Sequence, residues 1–112
     1  MLYQHQQYSE ALPLLEKLSL DNPENPKFLL GKGICYIELK DWEKALTTFD
    51  SIVQLNESFF KDHAIWYASL IHFKLQDFQQ AKNGLKILAN NINADHYEEA
   101  QQVLKILEKK ED

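Results

Sequence analysis

Four histidines and one cysteine are the side chains of this 112-residue chain best suited to acid–base, metal or nucleophilic chemistry. Their spacing argues against it. His63 and His72 stand nine residues apart on one helical stretch. At 3.6 residues per turn that is roughly 180° around the helix, so they cannot share a ligand. His5 and His96 lie near opposite ends of the chain, and no His-Glu-x-x-His or paired-cysteine spacing occurs. Cys35 is the only cysteine, which excludes an intrachain disulfide and a cysteine-based metal cluster. Flanked by Ile34 and Tyr36, it reads as a small packed residue and not as an activated nucleophile. The acids Glu98-Glu99 and Glu108 to Asp112 lack the apolar surround that raises a carboxyl pKa. Gly31-Lys32-Gly33 falls inside a helical pattern with no strand before it, unlike a phosphate-binding loop. No catalytic residue, cofactor or metal is therefore expected, and the chain reads as a non-enzyme.

Composition narrows the alternatives. The net charge is −5, from 17 acidic and 12 basic residues, and every basic residue is a lysine. Without arginine the chain lacks the planar fork that reads phosphates and guanine edges, and an acidic surface repels a polyanion, so nucleic acid is set aside. No apolar run approaches the roughly 20 residues that span a bilayer. The start, Met1-Leu2-Tyr3-Gln4-His5, has none of the zones of a secretory signal. A soluble cytoplasmic domain is expected, with a fragment of a larger envelope protein as the alternative. Three glycines, three prolines and 45% hydrophobic residues suit one helical domain.

The elements that position these residues follow from a repeat. Gln7-Tyr8-Ser9-Glu10-Ala11-Leu12, Asp41-Trp42-Glu43-Lys44-Ala45-Leu46 and Asp77-Phe78-Gln79-Gln80-Ala81-Lys82 each place an aromatic three residues before an alanine. Ala11 and Ala45 are 34 apart and Ala45 and Ala81 are 36 apart, a helical-hairpin period followed by the same period with two residues inserted. The stretch Asn56 to Lys61 is the expected seat of the insertion, a longer turn than Asp21 to Pro26. Leu29, Gly33, Tyr36 and Ile37 recur at helical spacing, as do Trp42, Ala45, Phe49, Ile52 and Val53. Asp41 and Asp77 are predicted N-caps, with Gln80 completing a capping box, and Asp95-His96-Tyr97-Glu98 a further box. That last box opens a helix striped by Tyr97, Ala100, Val103, Leu104 and Leu107. Pro13 is tolerable if its helix begins near Ser9.

On these residues the chain resembles the tetratricopeptide repeat family, in the form of a short bacterial-type domain. The second unit matches through Leu29, Gly33, Tyr36, Leu39, Asp41, Trp42, Ala45, Phe49 and Ile52, and the third through Ile65, Ser69, His72, Leu75, Asp77, Phe78, Ala81, Leu85 and Leu88. The resemblance implies an all-α superhelix, a solenoid of antiparallel helical hairpins closed by a C-terminal capping helix. Residues 1–25 would form a partial first repeat, 26–60 the second, 61–94 the third and 95–112 the cap. It makes His72 a packed ring where the family prefers an aromatic.

It also implies a concave face lined by the first helix of each unit, and hence a protein or peptide partner. Its inward stripe would be Lys27, Leu30, Ile34 and Ile37 from the second unit and His63, Trp66, Leu70 and Phe73 from the third. That stripe is too apolar for the family's carboxylate capture and suits an apolar segment. Trp66 serves equally as a groove residue or as packing under the last helix. The alternative function is self-association into a homo-oligomer through the incomplete N-terminal repeat.

Overall fold

Two turns in this chain solve the same backbone problem in the same way. Lys40 (φ 62°) and Gln76 (φ 65°) both adopt the left-handed conformation. Behind them the Lys40 and Asp41 N–H groups donate to the Ile37 and Tyr36 carbonyls, and the Gln76 and Asp77 N–H groups donate to those of Phe73 and His72. This is a Schellman closure, which satisfies the last helical carbonyls and reverses the chain at once. A β-carbon in that conformation costs roughly 1 kcal/mol, so packing of the hairpins must hold both residues there.

The computed structural model describes residues 2–55 and 58–111. These form six helices: α1 (Leu2–Asp21), α2 (Pro26–Glu38), α3 (Trp42–Leu55), α4 (Ser58–Lys74), α5 (Phe78–Ala89) and α6 (Tyr97–Glu111). Each helix packs on the next, and α2 also touches α4. The chain is thus an all-α superhelix in which hairpins α2–α3 and α4–α5 lie between a single leading helix and a closing one. Asn25 starts α2 by accepting the Lys27 N–H at 3.0 Å, with Pro26 behind it at a position that needs no donor.

Two apolar clusters run along the array. The first gathers Tyr36, Ala45, Phe49, Ile52, Ala64 and Ile71; the second gathers Ile65, Ala81, Leu85, Leu88, Ala94, Ala100, Leu104 and Leu107. Helix α4 feeds both, through Ala64 and Ile71 on one side and Ile65 on the other, so it is flanked by packing on two faces. Small residues set how closely helices approach. A β-carbon on Gly33 would fall 2.7 Å from Phe49 Cε1 and Cζ, and one on Gly84 would collide with Ser69 Oγ.

Four local expectations are corrected. Helix α1 does not begin near Ser9; it is continuous from Leu2 with Pro13 inside it. Pro13 is exposed, so its missing donor falls on the solvent side, while Leu12 packs on the core and Leu15 lies over α2. The inserted residues do not lengthen a turn: α4 already starts at Ser58, with Asn56 and Glu57 outside the described residues. Phe59 and Phe60 thereby enter a helical turn and pack edge to face at 5.1 Å. Asp77 makes no side-chain capping bond and forms no box with Gln80; its carboxylate lies 3.5 Å from His72 Nδ1 instead. No capping box forms at Asp95, and the helix start lies one residue later than predicted. His96 carries the first helical carbonyl of α6, accepting from Ala100, while the Asp95 N–H donates to Asp62 at 3.3 Å. Asp41 does cap, accepting the Lys44 N–H through Oδ1 at 3.4 Å.

Gly33→Ala should destabilise the fold by about 1–3 kcal/mol, the cost of overpacking a closed core. Phe49 is fully buried and stacked on Tyr67 at 5.5 Å, so it has nowhere to retreat. Urea unfolding should show a lower midpoint with an unchanged slope.

Candidate functional site

The contact of α2 with α4 identifies the inner side of the array, because helices on the concave face of a curved stack converge. Between them runs a slot of about 390 Å³ lined by Ile34, Ile37 and Glu38 of α2, Trp42, and Tyr67, Leu70, Ile71 and Lys74 of α4. Ile71 and the packed ring of Tyr67 belong to the first core cluster, so the floor is rigid. At one end Lys74 Nζ sits 5.5 Å from the centroid of Trp42, a cation–π pairing that holds both side chains at the rim. Glu38 supplies the opposite charge. An aliphatic wall with one anionic and one cationic group at its edge can bind an apolar side chain and orient the polar backbone that carries it.

A larger hollow of about 520 Å³ opens on the other side, between α3 and α5 over α4. Its polar lining is Thr47 and Asp50 of α3, Ser69 and His72 of α4, and Gln80 and Asn83 of α5.

Of the eight inward residues expected from the sequence, the slot brings together Ile34, Ile37 and Leu70. Leu30 is half-buried against the first core cluster, and Lys27 is exposed at the start of α2. His63, Trp66 and Phe73 turn toward the C-terminal end. Trp66 stacks face to face on His96 at 4.7 Å and Phe73 meets Phe78 edge to face at 5.7 Å, both against the second core cluster. His63 meets His96 with 3.0 Å between Nδ1 and Nε2. That contact escapes sequence reasoning, although the 33-residue separation, close to the repeat period, hints that the two residues are stacked neighbours. Trp42, Tyr67 and Lys74 were likewise missed as lining residues; Trp42 reads as core because its spacing matches the α3 stripe. The side chains of Leu2 and His5 and the end of the acidic tail lie outside the described residues.

His72 is half-buried, and its buried Nδ1 has Asp77 at charge-pair distance without hydrogen-bond geometry. Among the described residues no group of three or more His, Cys, Asp or Glu side chains is arranged to hold a metal ion. No helix of the described residues is long and apolar enough to cross a membrane.

The tetratricopeptide repeat family profile matches residues 2–59. No curated protein matches the chain by sequence. Among solved structures, PcrH in complex with the chaperone binding region of PopD superposes with a TM-score of 0.82 at 19% identity, over 98% of this chain and 85% of that one. The Yersinia enterocolitica type III secretion translocator chaperone SycD superposes with a TM-score of 0.81 at 17% identity, over 97% of this chain and 77% of that one.

Two buried groups of α2 have raised pKa values. Burial, then the Tyr36 hydroxyl's 3.1 Å bond to Glu16 and the charges nearby, pushes Tyr36 up to about 12. Burial first, and the Glu38 carboxylate second, pushes the Cys35 thiol up. A raised thiol pKa in the folded state favours folding at lower pH, and that contribution is lost as pH rises past the ordinary thiol range. Cys35 should therefore react with a disulfide reagent far more slowly than free cysteine at the same pH, and reach the free rate in denaturant. Fast labelling of the native protein would contradict its placement.

Proposed function

The chain belongs to the tetratricopeptide repeat family, and from that premise we propose that it is a non-enzymatic protein-binding module whose α2–α4 slot takes an apolar segment of a partner protein. The observation that carries this reading is the slot itself: Ile34, Ile37 and Leu70 form an accessible aliphatic wall on the concave side, flanked by Trp42, Lys74 and Glu38. An accessible apolar surface at the centre of a curved array is costly to expose to water and is best relieved by a partner side chain. PcrH, with the same fold, binds a segment of another protein, which supports the same use of the fold here. Trp66 and Phe73 belong to the packing of the C-terminal end on this reading, and the groove proper is shorter than the full inward stripe. The identity of the partner is left to its chemistry: a segment with spaced aliphatic or aromatic side chains, read by shape, with Glu38 and Lys74 setting its polarity.

A random-peptide display selection on the full chain, followed by binding measurements, tests this. Selected peptides should share apolar anchors. Leu70→Asp, at a half-buried position, should weaken them at least tenfold, about 1.4 kcal/mol, with the helical circular-dichroism spectrum unchanged. Equal binding to Leu70→Asp would sink the proposal.

Self-association through α1 is a second reading, favoured by Leu14 and Leu20, which are 60% and 79% exposed on the leading helix. Light scattering over a wide dilution series decides it. A concentration-dependent dimer abolished by Leu14→Glu supports this reading, and a monomer at every concentration ends it.

A further inference from the structure

Where α6 begins, four imidazole nitrogens meet two carboxylates. His63 Nδ1 lies 3.0 Å from His96 Nε2. The outer nitrogens each face an acid: His96 Nδ1 is 3.2 Å from Glu99 Oε2, and His63 Nε2 is 3.9 Å from Asp95 Oδ2. Asp62 of α4 adds a third carboxylate at the junction, accepting the Asp95 N–H. An ionised carboxylate only accepts hydrogen bonds. Glu99 therefore holds a hydrogen on His96 Nδ1, which leaves a lone pair on Nε2 facing His63. Asp95 Oδ2 is at ion-pair distance from His63 Nε2 but beyond hydrogen-bond reach, and it favours a positive charge on the His63 ring.

The lone pair on His96 Nε2 accepts a hydrogen from His63 Nδ1, and a positively charged His63 ring donates it more strongly while also facing Asp95. We propose that His63 and His96 share a single extra proton, as an imidazole–imidazolium pair, and that this proton latches the start of α6 onto α4.

Counting hydrogens shows why one extra is the optimum. Two neutral rings carry two hydrogens; these satisfy the inner contact and Glu99 but leave Asp95 facing a lone pair. Three keep both hydrogen bonds and add a positive charge that faces Asp95 at ion-pair distance, with the Asp62 and Glu99 carboxylates at the same junction. Four place two N–H groups head to head and force the rings apart. The latch thus weakens as pH rises and the third proton leaves, and it breaks as pH falls and a fourth arrives.

Two further features fit a latch under load. His96 is held at φ 67°, a conformation that costs free energy unless contacts compensate it. Its ring lies parallel to Trp66, with 4° between the planes, where an indole face stabilises a cation. Trp66 stands one helical turn before Leu70, so opening the latch would bare an aromatic beside the slot. That last consequence rests on the groove reading, whereas the shared proton does not.

The test uses the full chain without any partner. Nitrogen-15 histidine spectra, recorded from about pH 5 to about pH 8, the window in which histidine changes charge, report tautomer and charge for each ring. The expected result is His96 with its hydrogen on Nδ1 and two coupled titration steps for the pair, with the His63 curve displaced by His96→Asn. In a Trp42→Phe background, Trp66 emission should change in step with the pair, and the change should be lost in His63→Asn. A His96 ring carrying its hydrogen on Nε2, independent titration of the two rings, or pH-flat Trp66 emission would each overturn the latch. The first of these needs no variant, so it decides the matter even if His96→Asn fails to fold. A response abolished by EDTA and restored by zinc would also overturn it, by making the shared cation a metal.

Discussion

The separation of α2 from α3 is set by a methyl group that is not there. With only hydrogen at position 33, the ring of Phe49 lies directly against the α2 backbone, and much of the array is referenced to that ring. Phe49 is stacked on Tyr67 with 19° between the rings, which passes the position of the first hairpin to α4. Tyr67 in turn lines the concave slot opposite Ile34 and Ile37. The slot width is therefore a packing consequence of one close helix crossing, relayed through two aromatic rings whose rigidity leaves little slack.

The hairpins were readable because they are encoded locally. Periodic apolar residues, an aromatic three before an alanine, and a period of 34 then 36 residues all act within one unit. So did the burial of Cys35, which follows from its own helix face. Side chains that choose between rival partners were not readable. Asp77 and Asp95 stand where caps belong, yet a nearby imidazole at Asp77 and the Asp62 carboxylate at Asp95 compete with helix ends for their polar groups. Sequence shows that a carboxylate can cap, not that a histidine five residues back lies within reach of it. Pro13 was misjudged for the same reason: packing of α1 on α2 overrides a local penalty.

The inward stripe is divided between two neighbourhoods. Ile34, Ile37 and Leu70 stay available on an aliphatic surface, while His63 and Trp66 are taken up by the junction with α6 and Phe73 packs on Phe78 of α5. A periodic pattern marks one face of a helix along its whole length and carries no record of where a later helix folds over it. The division depends on the turn before α6, where His96 must adopt a left-handed backbone to bring its ring over the indole.

Because each helix packs mainly on its sequence neighbours, with α2 against α4 as the longer-range contact between helices, few contacts require distant parts of the chain to meet first. Low contact order of this kind makes folding fast and permits it to start at more than one hairpin. It also means that cohesion is not pooled. An outer helix can detach while the hairpins behind it stay formed, so α1 and α6 are the natural places for the molecule to open under force or in mild denaturant.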